Sequence, residues 1–276
     1  MLPSAPGAIG VFDSGYGGLT ILREMRKQLP EYDYMYLGDN ARAPYGTRSF
    51  DVVYEFTRQA VQSLFEKGCH LVVLACNTAS AKALRSIQQK DLPGLDPDRR
   101  VLGVVIPTVE ALGGITRNGN IGVLGTPGTI SSGTYDIEIA KFFPQYRTVS
   151  VECPMWVPLV ENKEFDSPGA DYFVEKYVEQ LFGEEPEIDT VVLGCTHYPL
   201  LLDKIRRQVG DRAQIVTQGE LVAASLKDYL RRHPEMDAKC TKGGTCTYLT
   251  TENPTKFTEL AEIFLNAPIA ANHVTL

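Results

Sequence analysis

Leu71-Val72-Val73-Leu74-Ala75 runs into Cys76-Asn77-Thr78, and Val191-Val192-Leu193-Gly194 runs into Cys195-Thr196-His197. Each is a short, unbroken, β-branched apolar run, the pattern of a strand buried on both faces of a parallel sheet. Each stops abruptly at polar residues, with a helical pattern following. A second pair recurs in the same order: Ile9-Gly10-Val11 ahead of Asp13-Ser14-Gly15, and Ile121-Gly122-Val123 ahead of Gly125-Thr126-Pro127. Two matches in one order at similar offsets read as a duplication. The expected fold class is α/β, with two similar domains of mainly parallel sheets flanked by helices. A pseudo-twofold axis would relate the domains and place the site in the cleft between them.

Working outward, strands are expected at 8–12, 34–37, 71–75, 101–105, 121–124, 191–194 and 214–216. Helices are expected at 19–28, 49–67, 79–89, 172–181, 200–209, 220–231 and 254–265, where apolar residues recur at three- and four-residue spacing. The Pro- and Asp-rich stretch 91–98 and the acidic stretch 183–187 read as surface connections.

Composition closes off other classes. With 276 residues, 43% of them hydrophobic, the chain can bury a large core and is not a disordered protein. The 27 basic and 34 acidic residues leave a net charge of −7 and are mixed along the chain, which argues against a nucleic-acid partner. No apolar run approaches the ~18 residues of a membrane span, and a cytoplasmic protein with no membrane partner is expected. Six cysteines without a Cys-x-x-Cys pair are read as reduced thiols, with Cys69, Cys153, Cys240 and Cys246 structural.

Cys76 and Cys195 stand out because both follow a buried strand and precede a helix, at the sheet edge where open α/β folds bind ligands. Backbone NH groups there can hold an anion and favour a thiolate. Two thiols reaching one cleft from opposite sides suit removal of a proton from one face of a carbon and its return to the other, which inverts a stereocentre. Asp13, before the turn Ser14-Gly15-Tyr16-Gly17-Gly18, is placed to direct a proton near Cys76, and His197 to tune Cys195. Gly15, Gly17 and Gly18 match neither a dinucleotide fingerprint nor a P-loop. Cys195 and His197 lack further ligands at metal-site spacing, so no metal is expected. Nothing marks a pyridoxal-type lysine, so no cofactor is expected either. Two other readings use the same residues: acyl transfer or amide hydrolysis with Cys195 as nucleophile and His197 as base, and a two-domain binding protein without catalysis.

Asp13-Ser14-Gly15 with Gly17-Gly18, Gly38-Asp39-Asn40 leading to Pro44-Tyr45-Gly46, Ala75-Cys76-Asn77-Thr78-Ala79, Val157-Pro158-Leu159-Val160-Glu161 and Gly194-Cys195-Thr196-His197-Tyr198-Pro199 together closely resemble the glutamate racemase family of the aspartate/glutamate racemase superfamily. The resemblance spans essentially the whole chain in order. It implies cofactor-independent interconversion of L- and D-glutamate, the D isomer serving peptidoglycan synthesis, with aspartate racemisation as the nearest alternative. It assigns acid/base roles to Cys76 and Cys195, with Asp13 assisting Cys76 and His197 assisting Cys195, while Glu161 supports His197. Substrate contacts carry over to Asp13, Ser14, Tyr45, Gly46, Asn77, Thr78, Thr196 and His197. The resemblance also implies a homodimer, and a first domain of residues 1–105 with 218–276 around a second of 106–217. Tyr16 and Thr217-Gln218-Gly219 depart from the family pattern at positions expected to bear on cleft packing or subunit contacts.

Overall fold

The computed structural model describes residues 2–276, and all of its named strands pair in parallel. β1 (Ile9–Asp13), β2 (Tyr34–Gly38), β3 (Leu71–Leu74), β4 (Arg100–Gly103), β9 (Cys246–Thr250) and β10 (Ala271–His273) form a six-stranded sheet in the order β10-β9-β2-β1-β3-β4. β5 (Asn120–Gly125), β6 (Arg147–Glu152), β7 (Thr190–Gly194) and β8 (Gln214–Val216) form a second sheet in the order β6-β5-β7-β8. The order β2-β1-β3-β4 in the first sheet is therefore repeated as β6-β5-β7-β8 in the second. The two sequence matches, β1 with β5 and β3 with β7, fall on corresponding strands.

Both sheets are covered on both faces, as the continuous apolar runs require. In β3, Leu71 and Val73 pack toward helices Leu19–Gln28 and Gly219–Arg232, whose Leu22, Met25, Val222 and Leu226 join the same cluster. Val72 and Leu74 point the other way, onto Val61, Leu64 and Phe65 of helix Phe50–Glu66. That helix begins where the Ser49 hydroxyl accepts the Val52 NH at 3.4 Å. In the second sheet, Val191 and Leu193 face Trp156, Val178 and Ile205, while Val192 faces Val109 and Ile139. The cluster holding Val73 also holds Val191, so one apolar core runs through both sheets. Deleting Leu22 to alanine from such a core costs about 2–5 kcal/mol.

Three strands were not expected. β6 is an edge strand whose Arg147 and Glu152 are exposed, β9 mixes Cys and Thr with Tyr and Leu, and β10 is a three-residue edge. The helix expected at 79–89 is broken: Asn77–Lys82 is followed by a separate turn at Leu84–Ser86, a π-helical stretch Ile87–Asp91 and a last turn Leu92–Leu95. Part of the expected connection 91–98 is thus helical. Likewise helix Pro168–Glu184 runs into the stretch read as an acidic connection. Among the described residues no helix is long and apolar enough to cross a membrane.

Candidate active site

In each sheet the chain leaves the central strand, β1 or β5, toward one neighbour and then crosses to the other side, β3 or β7. This reversal of direction opens a crevice at the strands' carboxyl ends. The register aligns what lies there. Phe12 pairs with Leu74, which sets Asp13 beside Ala75 and Cys76, and Gly125 pairs with Gly194, which sets Thr126 beside Cys195. One cavity of about 70 Å³ collects residues from both crevices. Ser14, Tyr45, Gly46, Cys76, Asn77 and Thr78 line it from the first half, and Glu161, Cys195, Thr196 and His197 from the second. The space is large enough for several waters or for a small molecule in their place.

Cys76 caps helix Asn77–Lys82, its Sγ accepting the Ala79 NH at 3.4 Å, and Ser14 Oγ lies 3.4 Å from the same sulfur. Burial pushes the thiol up to about 12, and the neighbouring Asp13 carboxylate adds to the rise against the Ser14 and Ala79 hydrogen bonds. Cys195 sits in the opposite field. Its Sγ is 3.8 Å from His197 Nδ1, and His197 Nε2 is 3.0 Å from Glu161 Oε1. Burial pulls the imidazole down, but hydrogen bonds to Cys195 and Glu161 outweigh it and hold His197 up to about 10. A protonated His197 donates toward both partners. The two thiols therefore face one cavity with opposite neighbours, a carboxylate beside one and an imidazolium beside the other.

Asp13 does not line the cavity. It lies behind it, 1% exposed, with Oδ2 accepting the Gly15 NH at 2.9 Å and Oδ1 3.5 Å from Thr196 Oγ1. Burial raises its carboxyl against the pull of His197 and of the Gly15 and Gly18 amides. The glycine turn explains this closeness. A Cβ on Gly17 would stand 2.2 Å from Thr196 Oγ1 and 2.5 Å from His197 Nδ1, and one on Gly18 would stand 2.5 Å from Asp13 Cβ. The glycines let the first turn touch the second half rather than cradle a phosphate.

The remaining predicted contacts divide by what their polar atoms already do. Tyr45 reaches the wall through its ring and backbone, because its hydroxyl is bonded to Asp39, which also accepts from Arg42 Nε at 2.7 Å. Gly46 O accepts the Gly128 NH at 2.7 Å, bringing the two halves into backbone contact. Thr78 Oγ1 lies 3.0 Å from Thr126 Oγ1 and 3.2 Å from Thr129 Oγ1. Thr126 lines the cavity and was not singled out in the sequence, although its place after β5 mirrors Ser14 after β1. Cys153 also lines the cavity, directly after the unexpected strand β6. The sequence reads it only as a structural cysteine, and its Sγ is turned to Val151 O at 3.7 Å. Tyr16 does not line the cavity; it stacks on Phe257 and Phe264 at centroid distances of 5.4 and 6.2 Å, and Phe264 meets the His197 ring edge-on at 5.6 Å. All six cysteines are free thiols. Among the described residues no group of three or more His, Cys, Asp and Glu is placed to hold a metal ion.

Known proteins place this arrangement in context. Residues 9–236 match the sequence profile described as Asp/Glu/Hydantoin racemase. The chain is 39% identical over 277 aligned positions to a glutamate racemase of Ruegeria sp. strain TM1040, covering 95% of this chain and 98% of that protein. It superposes on the crystal structure of a glutamate racemase isoform from Bacillus anthracis with a TM-score of 0.89 at 34% identity, covering 98% of each chain. It also superposes on a glutamate racemase from Francisella tularensis, solved in complex with D-glutamate, with a TM-score of 0.86 at 28% identity and 98% of each chain covered.

Proposed function

The chain belongs to the Asp/Glu/Hydantoin racemase family, and from that premise we propose that it interconverts L- and D-glutamate by passing the Cα proton between Cys76 and Cys195. The observation that carries this reading is that both thiols, each after the corresponding strand of its own half, line one small cavity.

The α-hydrogen of an amino acid is a weak acid, so the site must stabilise charge as the proton leaves. Cys76 holds its proton, since burial and Asp13 both oppose its ionisation. The His197 cation faces Cys195, its Nδ1 3.8 Å from the sulfur. The Cys195 thiolate then takes the α-proton from one face as the C–H electron pair moves toward the α-carboxylate. The Cys76 thiol delivers its proton to the opposite face. The product leaves Cys195 protonated and Cys76 as thiolate, the mirror state that serves the reverse reaction. Asp13, its carboxyl raised by burial, is a proton acceptor for the Cys76 side, and His197 with Glu161 holds the charge of the Cys195 side. Ser14, Asn77, Thr78 and Thr196 supply donors to the substrate carboxylates, and Tyr45 and Gly46 close the wall.

The same reading makes residues 1–105 with 218–276 one domain and 106–217 the other, closing on the substrate. It also makes the chain a cytoplasmic homodimer that supplies D-glutamate for peptidoglycan. Circular dichroism of L-glutamate and, separately, L-aspartate incubated with the purified chain tests the substrate. Signal decays to zero with glutamate under the proposal, whereas faster decay with aspartate moves the assignment to the neighbouring racemase, and no decay with either removes it.

A further inference from the structure

Gln218 precedes helix Gly219–Arg232 but does not cap it with its side chain, which is buried between the two halves. Its hydrogen bonds fix which way its own amide points. Thr108 Oγ1 donates to Val104 O at 2.7 Å, so its single hydrogen is spent and it can only accept from Gln218. The atom of Gln218 facing Thr108 at 2.9 Å is accordingly Nε2, which also donates to the Tyr135 hydroxyl at 2.8 Å. Oε1 is left to face Asn77, whose Nδ2 donates to it at 2.6 Å. Asn77 Oδ1 in turn accepts from the Tyr135 hydroxyl at 2.8 Å and lies 3.1 Å from Gln218 Nε2. Burial keeps Tyr135 a phenol, able to donate throughout the ordinary pH range. Both orientations of the Asn77 carboxamide are thereby distinguished, and one hydrogen of Nδ2 remains unused on a residue that lines the cavity.

We infer that Gln218 is a positioning residue, oriented by Thr108, that fixes the Asn77 carboxamide with its free Nδ2 hydrogen presented to a substrate carboxylate. The inference rests on the proposed function for the identity of that carboxylate. With the amide reversed, Asn77 would offer a carbonyl oxygen to an anion. Gln218 thus acts on the site through Asn77 while touching no substrate.

The test is a double-mutant cycle on D-glutamate affinity, measured by calorimetry, with racemisation rates alongside. Gln218→Met keeps the volume and removes the hydrogen bonds, and it is expected to weaken binding about tenfold. In an Asn77→Ala background the same change should weaken it by less than about twofold. Thr108→Val, which leaves Gln218 in place but removes its orienting acceptor, should give a smaller loss of the same dependence and carries the test should Gln218→Met not fold. Equal losses with and without Asn77, or no loss in either background, overturn the inference. The Asn77 side-chain amide NMR signals supply a readout without substrate: slow hydrogen exchange in the parent and fast exchange in Gln218→Met are expected, and unchanged exchange contradicts it. A parent protein that neither binds nor racemises glutamate defeats the proposed substrate, and the amide exchange still decides the role of Gln218.

Discussion

Replacing Gly17 by alanine is predicted to disable the site by a single methyl group. Gly17 lies in the turn after β1, and its backbone does not need the left-handed region, so the change is steric alone. The added carbon would stand 2.2 Å from Thr196 Oγ1, 2.5 Å from His197 Nδ1 and 2.9 Å from His197 Cε1, where ordinary contact begins at 3.4 Å. Relief requires the Thr196-His197 segment or the glycine turn to retreat by about 1 Å, and a displacement of that size at reacting groups costs about 100-fold in rate. The same overpacking costs about 1–3 kcal/mol of stability, little enough to leave the chain folded. Racemisation kinetics with thermal melts read both quantities. Gly183→Ala serves as the control, because nothing lies within 4 Å of the carbon it adds and Gly183 belongs to helix Pro168–Glu184. A Gly17→Ala protein that keeps the parent rate would refute the claim that the first turn presses directly on the His197 imidazole.

Glu161→Gln removes the negative partner of His197 at 3.0 Å, one of the hydrogen bonds that hold the imidazole up to about 10. Since the charged form of His197 is present below its pKa, the alkaline limb of the pH–rate profile should move to lower pH, and an unmoved limb contradicts the role given to Glu161. Cys76→Ala and Cys195→Ala should each lower racemisation by at least about 1,000-fold, within the range for a positioned proton-transfer group, while melting close to the parent; substantial activity in either variant removes the two-thiol mechanism. Arg99 is fully buried and donates to the carbonyls of Phe65, Cys69 and Pro3 and to Asp96. Arg99→Leu strands those acceptors and should cost about 3–5 kcal/mol in denaturant unfolding, and a loss below about 1 kcal/mol would show that water replaces the guanidinium.

The strands buried on both faces are the most legible in the sequence, while the edge strands β4 and β8 were legible from short apolar runs and the amphipathic helices from their spacing. β1, β3, β5 and β7 sit inside their sheets, so Leu71–Leu74 and Val191–Leu193 had to be apolar without a break. β6, β9 and β10 carry exposed or mixed residues and escape a search for such runs, and missing β6 hid that Cys153 ends a strand. Helix 79–89 looked continuous because its apolar spacing persists, whereas the backbone passes through a π-helical stretch at Ile87–Asp91 that periodicity does not register. At the site, the paired strand-end thiols announced themselves by repetition, and His197 by its place two residues after Cys195. The network of Asn77, Thr108, Tyr135 and Gln218 did not, because it joins buried polar residues far apart in the chain and no local spacing links them. Tyr16 and Gln218 were both expected to bear on cleft packing or subunit contacts, and only the structure separates a ring packed on Phe257 from an amide turned toward the site.

The central claim, that two sulfurs exchange one carbon-bound proton across a shared cavity, is tested most directly by running L-glutamate with the purified chain in heavy water and following Cα by NMR and mass spectrometry. The account predicts D-glutamate carrying deuterium at Cα from the earliest turnovers, with no such product from Cys76→Ala or Cys195→Ala. D-glutamate that retains its original α-hydrogen at those early times would contradict it.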